Sequence, residues 1–566
     1  MYLEKTFMFS LIILILLFSA SIFPVYSINQ VNTYSIAYGD WGIPTPFHHH
    51  RGPSYVLTSF IWDTLVWRNE TGIIPLLAYN WTCSTDGLTW IITLRKGVKW
   101  HDGVPFTAED VAFTMEYLKK YPYPFGASDV AKYVKDTIPI DDTTVKIILN
   151  TPYPDFIDVI MGEVEIIPKH IWENVTDPLS YVEKKAFIGT GPYKLIEYKK
   201  GEYYLLKAND DYFLGKPLVK KLYLNALGRR GESVALALKS KDVDAASFSG
   251  SEVDVVKTFE KNPDFKILEG PSYWVLELIF NCKKYPFSVR DFRIAIAYAI
   301  DRVEIVDKVL HGGGIVASLG ITHPDSKWYN PNLPSYSYNL NKASDILDKL
   351  GFIDRNGDGM REFPNGTKLS FTILCAKKFV RVGELIKSQL SKVGLEVTVK
   401  PMDWKPMDDL LDKGLFSAAI TGHGGISHLW PGIKSTVDWP AHTYENPTLD
   451  DLLKKFYTTL DEDSRRRYAY EIQDIIAGDL PVIALYHPKT YCIYRVDKPV
   501  NWFWTKTGIA HGIPIWWNKL ALVAMKEIPS APGASKPIGY PIELIAAVIG
   551  IIVVIIAGIV IYIRRK

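Results

Sequence analysis

The chain has 566 residues and a formal net charge of +2, with 64 basic and 62 acidic side chains. This length allows several domains or one large two-lobed body with a sizeable core. The balanced charge gives no electrostatic case for nucleic-acid binding.

The N-terminus has the pattern of a secretory signal peptide. Lys5 precedes an apolar run at 7–23, and Ser27 is a small residue suited to a cleavage point. We predict a signal peptide at 1–27, with cleavage near Ala20 or an uncleaved anchor as alternatives. No cysteine lies directly after this segment, so a lipid-anchored N-terminus is not expected.

The first predicted strand covers Tyr34–Tyr38 and is followed by a loop with three adjacent histidines, His48, His49 and His50. Three neighbouring side chains cannot all face one ion from one face of a helix or strand. A surface loop is therefore favoured over a metal site.

Residues 86–118 predict a strand, a tight turn and a capped helix. Trp90, Ile92 and Leu94 alternate with Thr89, Ile91 and Thr93, the period of a strand, and 101–103 is a turn sequence. Thr107 is the expected helix N-cap, and Asp110 completes a capping box. Local physics specifies this unit but suggests no chemistry.

Two glycine-rich stretches resemble parts of known catalytic or phosphate-binding motifs. Residues 189–193 lack the spacing of a phosphate loop. Residues 311–314, HGGG, resemble an oxyanion loop, but the chain contains no GxSxG nucleophile elbow. Glycine capping at the end of a helix that starts at Ser288 and continues past Val303 is the better interpretation.

The second half of the chain alternates strands and helices. Strands are predicted at 273–281, 368–375, 395–399 and 482–486, and helices at 343–350, 382–393, 450–457 and 465–477. The strand–helix–strand order at 368–399 argues for a partly parallel sheet.

An acidic loop lies between two of these elements. Its oxygen-bearing positions resemble the front of a calcium loop, although Asn365 stands where an EF-hand has glutamate. A structural Ca²⁺ site and a plain Asx-rich turn both remain open. The candidate ligands are Asp354, Asn356, Asp358, Met360 and Glu362.

The C-terminus contains an apolar run at 544–563, long enough to cross a bilayer, followed directly by three basic residues. The positive-inside rule places residues 564–566 in the cytoplasm and the bulk of the chain outside. The outside location permits disulfides among Cys83, Cys282, Cys375 and Cys492, whose pairing the sequence does not decide. It also makes the four sequons plausible glycosylation sites; these are Asn69, Asn80, Asn174 and Asn365. The anchor and sequons suggest an archaeal-type cell surface.

The amino-acid sequence of one stretch resembles the signature of a known family. The segment DGLTW…LRKGVKWHDGVPFTAEDVAFT is similar to the signature of the family 5 solute-binding proteins of ABC importers, the oligopeptide-, dipeptide- and nickel-binding group. The resemblance extends over nearly all of the predicted ectodomain. It implies an α/β chain with mixed α+β lobes in a two-lobed, periplasmic-binding-protein-like fold of type II, with the extra subdomain of the oligopeptide-binding group and, here, a C-terminal transmembrane helix.

This resemblance sets the expected domain organisation. The predicted parts are a signal peptide at 1–27, a first lobe at 28–275 with an inserted subdomain at about 56–184, a second lobe at 276–488, a return to the first lobe at 489–525, a Pro-rich stalk at 526–541, a transmembrane helix at 542–563 and a cytoplasmic tail at 564–566.

The implied function is capture of a peptide-like or oligosaccharide ligand by hinge closure and delivery to ABC permease subunits with cytoplasmic ATPases. No catalytic motif is present, and no catalytic residue or cofactor is assigned. A surface-anchored hydrolase of glycans or peptides and an adhesive surface protein are the alternatives. The resemblance favours a protein that binds its ligand without turning it over, and the terminal segments favour a single-pass cell-membrane location.

The resemblance implies ligand contacts at aromatic residues near strand ends, with a role in the apolar core as the alternative for each. The candidates are Trp41, Tyr273, Trp274, Trp404, His423 and Trp430. The family's peptide binders use a second-lobe aspartate for the peptide amino group, but residues 420–429 here contain no acid. Ordinary free-amine peptides are thus disfavoured relative to oligosaccharides and blocked peptides, unless Asp438 or Glu445 takes that place. His423 and His428 also leave a metal chelate open.

Overall fold

The computed structural model describes residues 30–48, 54–123, 126–228, 231–424, 443–510 and 513–525. The predicted signal peptide, stalk and transmembrane helix lie outside these ranges. Among the described helices, none combines the length and apolar character needed to span a bilayer.

Twenty-two strands are described. They are β1 (Val31–Ala37), β2 (Val66–Arg68), β3 (Ile73–Pro75), β4 (Ala78–Cys83), β5 (Thr89–Leu94), β6 (Val134–Asp141), β7 (Thr144–Leu149), β8 (Tyr193–Lys199), β9 (Tyr203–Ala208), β10 (Gly215–Pro217), β11 (Val219–Asn225), β12 (Ala245–Ser249), β13 (Phe265–Pro271), β14 (Val275–Phe280), β15 (Gly314–Val316), β16 (Ser370–Ala376), β17 (Glu396–Met402), β18 (Ala418–His423), β19 (Val482–Arg495), β20 (Thr505–Ala510), β21 (Ile513–Ile515) and β22 (Val523–Met525).

Thirteen α-helices are described. They are α1 (Ser54–Ile61), α2 (Ala108–Lys120), α3 (Gly126–Tyr133), α4 (Lys169–Trp172), α5 (Glu232–Lys239), α6 (Val253–Lys257), α7 (Arg290–Ala299), α8 (Arg302–Leu310), α9 (Leu340–Lys349), α10 (Val380–Ser391), α11 (Trp404–Asp412), α12 (Pro447–Thr458) and α13 (Glu462–Asp479).

A 12-stranded sheet passes through two lobes, in the order β17-β16-β18-β14-β19-β12-β1-β11-β9-β8, with β13 and β15 also paired to β19. We call residues 30–62, 189–271 and 489–525 the first lobe, and residues 275–487 the second lobe. Each lobe has its own apolar core. The predicted parallel pairing of the strand–helix–strand unit is confirmed, because β16 runs parallel to β17.

A third core belongs to residues 63–188, which we call the inserted subdomain. It contains a four-stranded antiparallel sheet in the order β4-β5-β7-β6. The alternation predicted at 89–94 is confirmed, with Trp90, Ile92 and Leu94 buried. The predicted capping box is also confirmed, since Thr107 and Asp110 cap α2 reciprocally.

Three predictions of local structure were wrong in detail. The helix expected from Ser288 past Val303 is split: α7 has Val289 at its N-cap, and Asp301 caps a separate α8. The C-cap of α8 is His311 in a left-handed conformation, with φ +49°, rather than a glycine. The final strand is 14 residues long, because its second half pairs with first-lobe strands that are remote in sequence.

All four cysteines are within the described residues, and all four are free thiols. Cys375 and Cys492 are buried in different lobes, while Cys83 is exposed. The disulfides that the predicted compartment permits are not formed in this structure.

Candidate functional site

The carboxyl ends of the parallel strands in both lobes face the same hinge. In the first lobe, β1 is parallel to β11 and β12, and Ser249 at the end of β12 pairs with Thr490 at the crossing of β19. In the second lobe, His423 at the end of β18 pairs with Val275 at the start of β14. Ligands of open α/β sheets bind outside such carboxyl edges, so the space between the lobes is the candidate cleft.

Two strands cross between the lobes and form the hinge. One crossing is the step from β13 to β14 through residues 272–274, and the other is β19 at Pro488–Lys489. The amide of Ser272 donates to the Pro488 carbonyl at 3.1 Å, so a hydrogen bond links the two crossings. The predicted contact residues Tyr273 and Trp274 therefore lie in the hinge itself.

Tyr273 packs on a pair of histidines that the sequence did not reveal. Its ring stacks on His323 with centroids 4.9 Å apart, and His323 meets His487 edge to face at 4.7 Å. His487 Nδ1 donates to the Trp274 carbonyl at 3.1 Å. Burial lowers the pKa of His487 to about 3 and also lowers the pKa of His323, so both rings are neutral at pH 7.

An aromatic cluster forms the second-lobe edge of the cleft. Trp274 stacks on Phe379 at 6.0 Å, and Phe379 meets Trp404 edge to face at 6.1 Å. The ammonium of Lys378 lies 5.8, 4.7 and 5.2 Å from the ring centroids of Trp274, Phe379 and Trp404. A Cβ added to Gly422 would lie 1.4 Å from the Trp274 ring, so only glycine leaves room for this indole. We call Trp274, Lys378, Phe379 and Trp404 the aromatic cluster.

Trp41 is held at the first-lobe edge by the loop after β1. Its amide donates to the Tyr204 hydroxyl oxygen at 2.9 Å, and that hydroxyl donates to Asp40 at 3.0 Å. Burial opposes ionisation of Asp40, but hydrogen bonds from the Gly42 amide, Tyr198 and other donors outweigh it and lower the pKa of Asp40. Asp40 therefore supports the loop that carries Trp41.

Several predicted contact residues cannot be placed. Trp430, His428 and Asp438 lie outside the described residues, and of His423 only the backbone, at the end of β18, is described. Glu445, the other candidate partner for a peptide amine, is exposed and forms an ion pair with Lys283 at 2.5 Å.

The structure thus brings Trp274 and Trp404 together and places Tyr273 beside them in the hinge. Sequence reasoning missed Lys378 and Phe379, although they directly follow the carboxyl end of β16. Position after a parallel strand was the signal that could have identified them.

The acidic loop is folded around its own backbone. Asp354 accepts hydrogen bonds from the amides of Gly357 and Gly359 at 2.7 and 2.9 Å, and Glu362 accepts from the amide of Arg355 at 2.7 Å. Oxygen atoms of Asp354, Asp358 and Glu362 lie within 4.8 Å of one another. The other two predicted ligands, Asn356 and Met360, belong to the same turns: Asn356 accepts from the Asp358 amide, and the Met360 amide donates to Asp358.

Comparison with known proteins identifies the family of this chain. The family described as bacterial extracellular solute-binding proteins, family 5 Middle, matches residues 72–431. The oligopeptide-binding protein AppA of Bacillus subtilis is 29% identical over 467 residues, covering 76% of this chain and 81% of AppA.

Solved structures agree with this match. AppA from Bacillus subtilis in complex with a nonapeptide superposes with a TM-score of 0.69 at 26% identity, covering 83% of this chain and 95% of AppA. NikZ from Campylobacter jejuni in complex with Ni(L-His) gives a TM-score of 0.71 at 26% identity, covering 87% of this chain and 99% of NikZ.

Proposed function

This chain belongs to the family 5 extracellular solute-binding proteins and is the solute-binding component of an ABC importer, and from that premise we propose that its solute is a peptide or peptide-like molecule. The predicted family and the predicted transport function are confirmed by these comparisons. The alternative of a surface hydrolase receives no support from them.

The observation that supports a peptide-like solute is the aromatic cluster at the cleft edge, taken together with the peptide-binding relatives. Flat rings at Trp274 and Trp404 offer apolar faces to side chains of an extended ligand. AppA, a relative that spans most of this chain, binds a nonapeptide. The same faces would stack on sugar rings, so an oligosaccharide is the second candidate.

Binding is proposed to act through closure of the two lobes. A ligand shifts a two-state equilibrium only by its differential affinity for the two states. A solute that touches the Trp41 loop and the aromatic cluster together gains contacts only when the lobes close. The closed form would then dock on the permease.

Isothermal titration calorimetry with three ligand sets tests the proposal. The sets are free and N-acetylated peptides, oligosaccharides, and nickel with histidine. Micromolar binding of peptides that is weakened in Trp404→Ala, but unchanged in the control Trp81→Ala, supports a peptide solute. Both tryptophans are half-buried, but Trp81 lies on β4 of the inserted subdomain. Binding of only oligosaccharides or only nickel–histidine would overturn the proposal, and recovery of intact ligand excludes turnover.

Acetylation addresses the amino group separately. Because residues 420–429 contain no acid, we expect blocked peptides to bind at least as well as free ones. Strong loss of affinity on N-acetylation would show that another carboxylate pairs with the amine.

We also propose that the chain is a single-pass cell-membrane protein of archaeal type with its lobes outside. The apolar segments at 7–23 and 544–563 and the basic tail support this topology. Protease added to intact cells should release a large soluble fragment; protection of the bulk would contradict the topology.

Glycosylation is proposed at the sequons on the same grounds. Asn80, Asn174 and Asn365 are exposed, and Asn69 is half-buried. Mass spectrometry of tryptic peptides should find glycans first at the three exposed asparagines.

A further inference from the structure

One ion pair joins the inserted subdomain to the second lobe. Asp155 precedes the helical turn Phe156–Met161, whose residues belong to the subdomain core. Arg465 lies on α13 of the second lobe. Nη2 of Arg465 donates to both carboxylate oxygens of Asp155, at 3.0 and 2.8 Å. We call Asp155 and Arg465 the interlobe pair.

The second lobe holds Arg465 ready for this contact. Its Nε donates to the Phe456 carbonyl at 2.9 Å. Its guanidinium lies 4.9 Å from the Trp328 ring centroid and 4.7 Å from that of Phe456. A planar guanidinium fixed in this way loses little conformational freedom when a carboxylate arrives.

A small apolar contact accompanies the interlobe pair. A Cβ added to Gly87 would lie 2.5 Å from Leu460 and 3.3 Å from Pro152, so the α12–α13 corner sits close against the subdomain. Gly87 and Pro152 belong to the subdomain, and Leu460 belongs to the second lobe. The subdomain and the second lobe therefore also approach each other at a second, apolar point.

The inserted subdomain is fixed to the first lobe rather than to the second. The chain connects it to the first lobe at both ends, and Lys519 of the first lobe forms a buried ion pair with Asp63. The His101 ring of the subdomain accepts a hydrogen bond from the Gly189 amide at 3.2 Å and donates to the Gly191 carbonyl at 2.9 Å. The Thr58 hydroxyl of the first lobe donates to Glu165 of the subdomain at 2.7 Å. The second lobe is connected to this unit covalently only at the two hinge crossings within the described residues.

From these contacts we infer that the interlobe pair is a closure contact, made when the lobes close on a solute and broken when they open; this rests on the proposed function. A rotation of the second lobe about the hinge moves α13 away from a subdomain that stays with the first lobe. Asp155 and Arg465 then set how tightly and how long a solute is held. They are positioning residues that act through the closed state.

The expected energetic effect is a change in the ratio of closed to open molecules. A contact present only in the closed state multiplies that ratio by a constant factor, whatever the solute. For a charge-assisted pair in which one guanidinium nitrogen contacts both carboxylate oxygens, we expect a factor of about ten, within the usual range of coupling between sites.

Spin-label distance measurements on the full chain in lipid nanodiscs test the inference without a ligand. Labels at Ile140→Cys in the subdomain and Leu415→Cys in the second lobe are both on exposed positions, in a background of Cys83→Ser and Cys282→Ser. The wild-type background is compared with Asp155→Asn, with Arg465→Asp, and with the charge-swapped Asp155→Arg/Arg465→Asp double variant.

In each single variant, we expect the ratio of the short-distance population to the long-distance population to fall about tenfold. Partial recovery in the charge-swapped double variant identifies the pair itself as the cause. Asp409→Asn is the matched control, because Asp409 pairs with Lys405 on the surface of the second lobe, and this variant should leave the distances unchanged.

Unchanged distances in both single variants would overturn the inference, and so would equal changes in Asp409→Asn. Near-ultraviolet circular dichroism of each variant identifies any that fail to fold. Since no solute is added, failure of this test is separate from failure of the peptide-binding proposal, which calorimetry decides.

Discussion

The inserted subdomain meets the first lobe and the second lobe in physically different ways. Toward the first lobe, Lys519 and Asp63 form an ion pair in which both side chains have 0% exposure. Toward the second lobe, the Asp155 carboxylate of the interlobe pair keeps 25% exposure. Both contacts join a cation to an aspartate. In the second, Arg465 is also buried and burial raises the pKa of Asp155, but the Asp155 side chain retains partial contact with water.

The surroundings of the two pairs reinforce this difference. Asp63 also accepts hydrogen bonds from Tyr212 at 3.1 Å and Thr190 at 2.9 Å, and Lys519 lies 4.3 Å from the Trp67 ring centroid. Burial lowers the pKa of Lys519, although Asp63 opposes the shift. A buried charge of this kind stays away from water if its partner is lost, whereas Arg465 can become hydrated when the lobes separate. Burial, more than charge, thus distinguishes a fixed junction from a separable contact.

The largest expected effect comes from breaking the fixed junction. Lys519→Met leaves the Asp63 carboxylate buried without its cation, so we expect the free energy of unfolding to fall by about 3–5 kcal/mol. Urea unfolding measures this loss. The control is Lys405→Met, which removes an exposed pair with Asp409 and should leave the free energy of unfolding nearly unchanged. Equal losses in the two variants would contradict the distinction drawn between the two contacts.

The second prediction concerns pH and the same junction. Burial lowers the pKa of His101 to about 4, while the pKa of a histidine in the unfolded chain is about 6.5. Between these values the unfolded state binds the extra proton, so stability is complete above about pH 6.5 and falls as the pH decreases toward 4. The loss attributable to His101 is about 3 kcal/mol.

Thermal unfolding between pH 7 and pH 4.5 checks this dependence. His101→Gln preserves a donor for the Gly191 carbonyl and an acceptor for the Gly189 amide, and it should flatten the pH profile. His487, whose pKa burial lowers to about 3, contributes a separate slope that remains in this variant. A profile identical to that of the wild type would show that His101 is protonated at little cost.

The third prediction concerns the interlobe pair and global stability. Asp155→Asn should lower the free energy of unfolding by less than about 1 kcal/mol, because opening the lobes hydrates Arg465. Urea unfolding in parallel with Lys519→Met makes the comparison direct. A loss as large as that of Lys519→Met would mean that the second-lobe contact is part of the fixed structure.

The smallest expected effect is at the acidic loop, which belongs to neither junction. We expect weak calcium binding there, because the carboxylates of Asp354, Asp358 and Glu362 are close together but Asn365 replaces a chelating glutamate. At a calcium concentration equal to the dissociation constant, the stabilisation is about 0.4 kcal/mol. Differential scanning fluorimetry should detect it in the wild type and not in Asp358→Asn. Equal changes in melting temperature on adding calcium to both proteins would favour a plain turn that binds no calcium.

Local patterns in the sequence predicted local structure well. The alternation at 89–94 and the Thr107 capping box depend only on residues a few positions apart, and both form as predicted. The similarity of the same stretch to the family signature identified the family and its transport role. Each of these features is complete within a short segment, so no distant partner could alter it.

Only the tertiary structure decided which distant residues meet. Asp63 and Lys519 are 456 residues apart, and Asp155 and Arg465 are 310 residues apart. The aromatic cluster likewise requires β14 to begin where β16 and β17 end, at one edge of the sheet. β19 extends beyond its predicted end because first-lobe strands pair with it. Spacing along the chain contains no information about such contacts, since their energy depends on sheet register and burial that exist only after the lobes have folded.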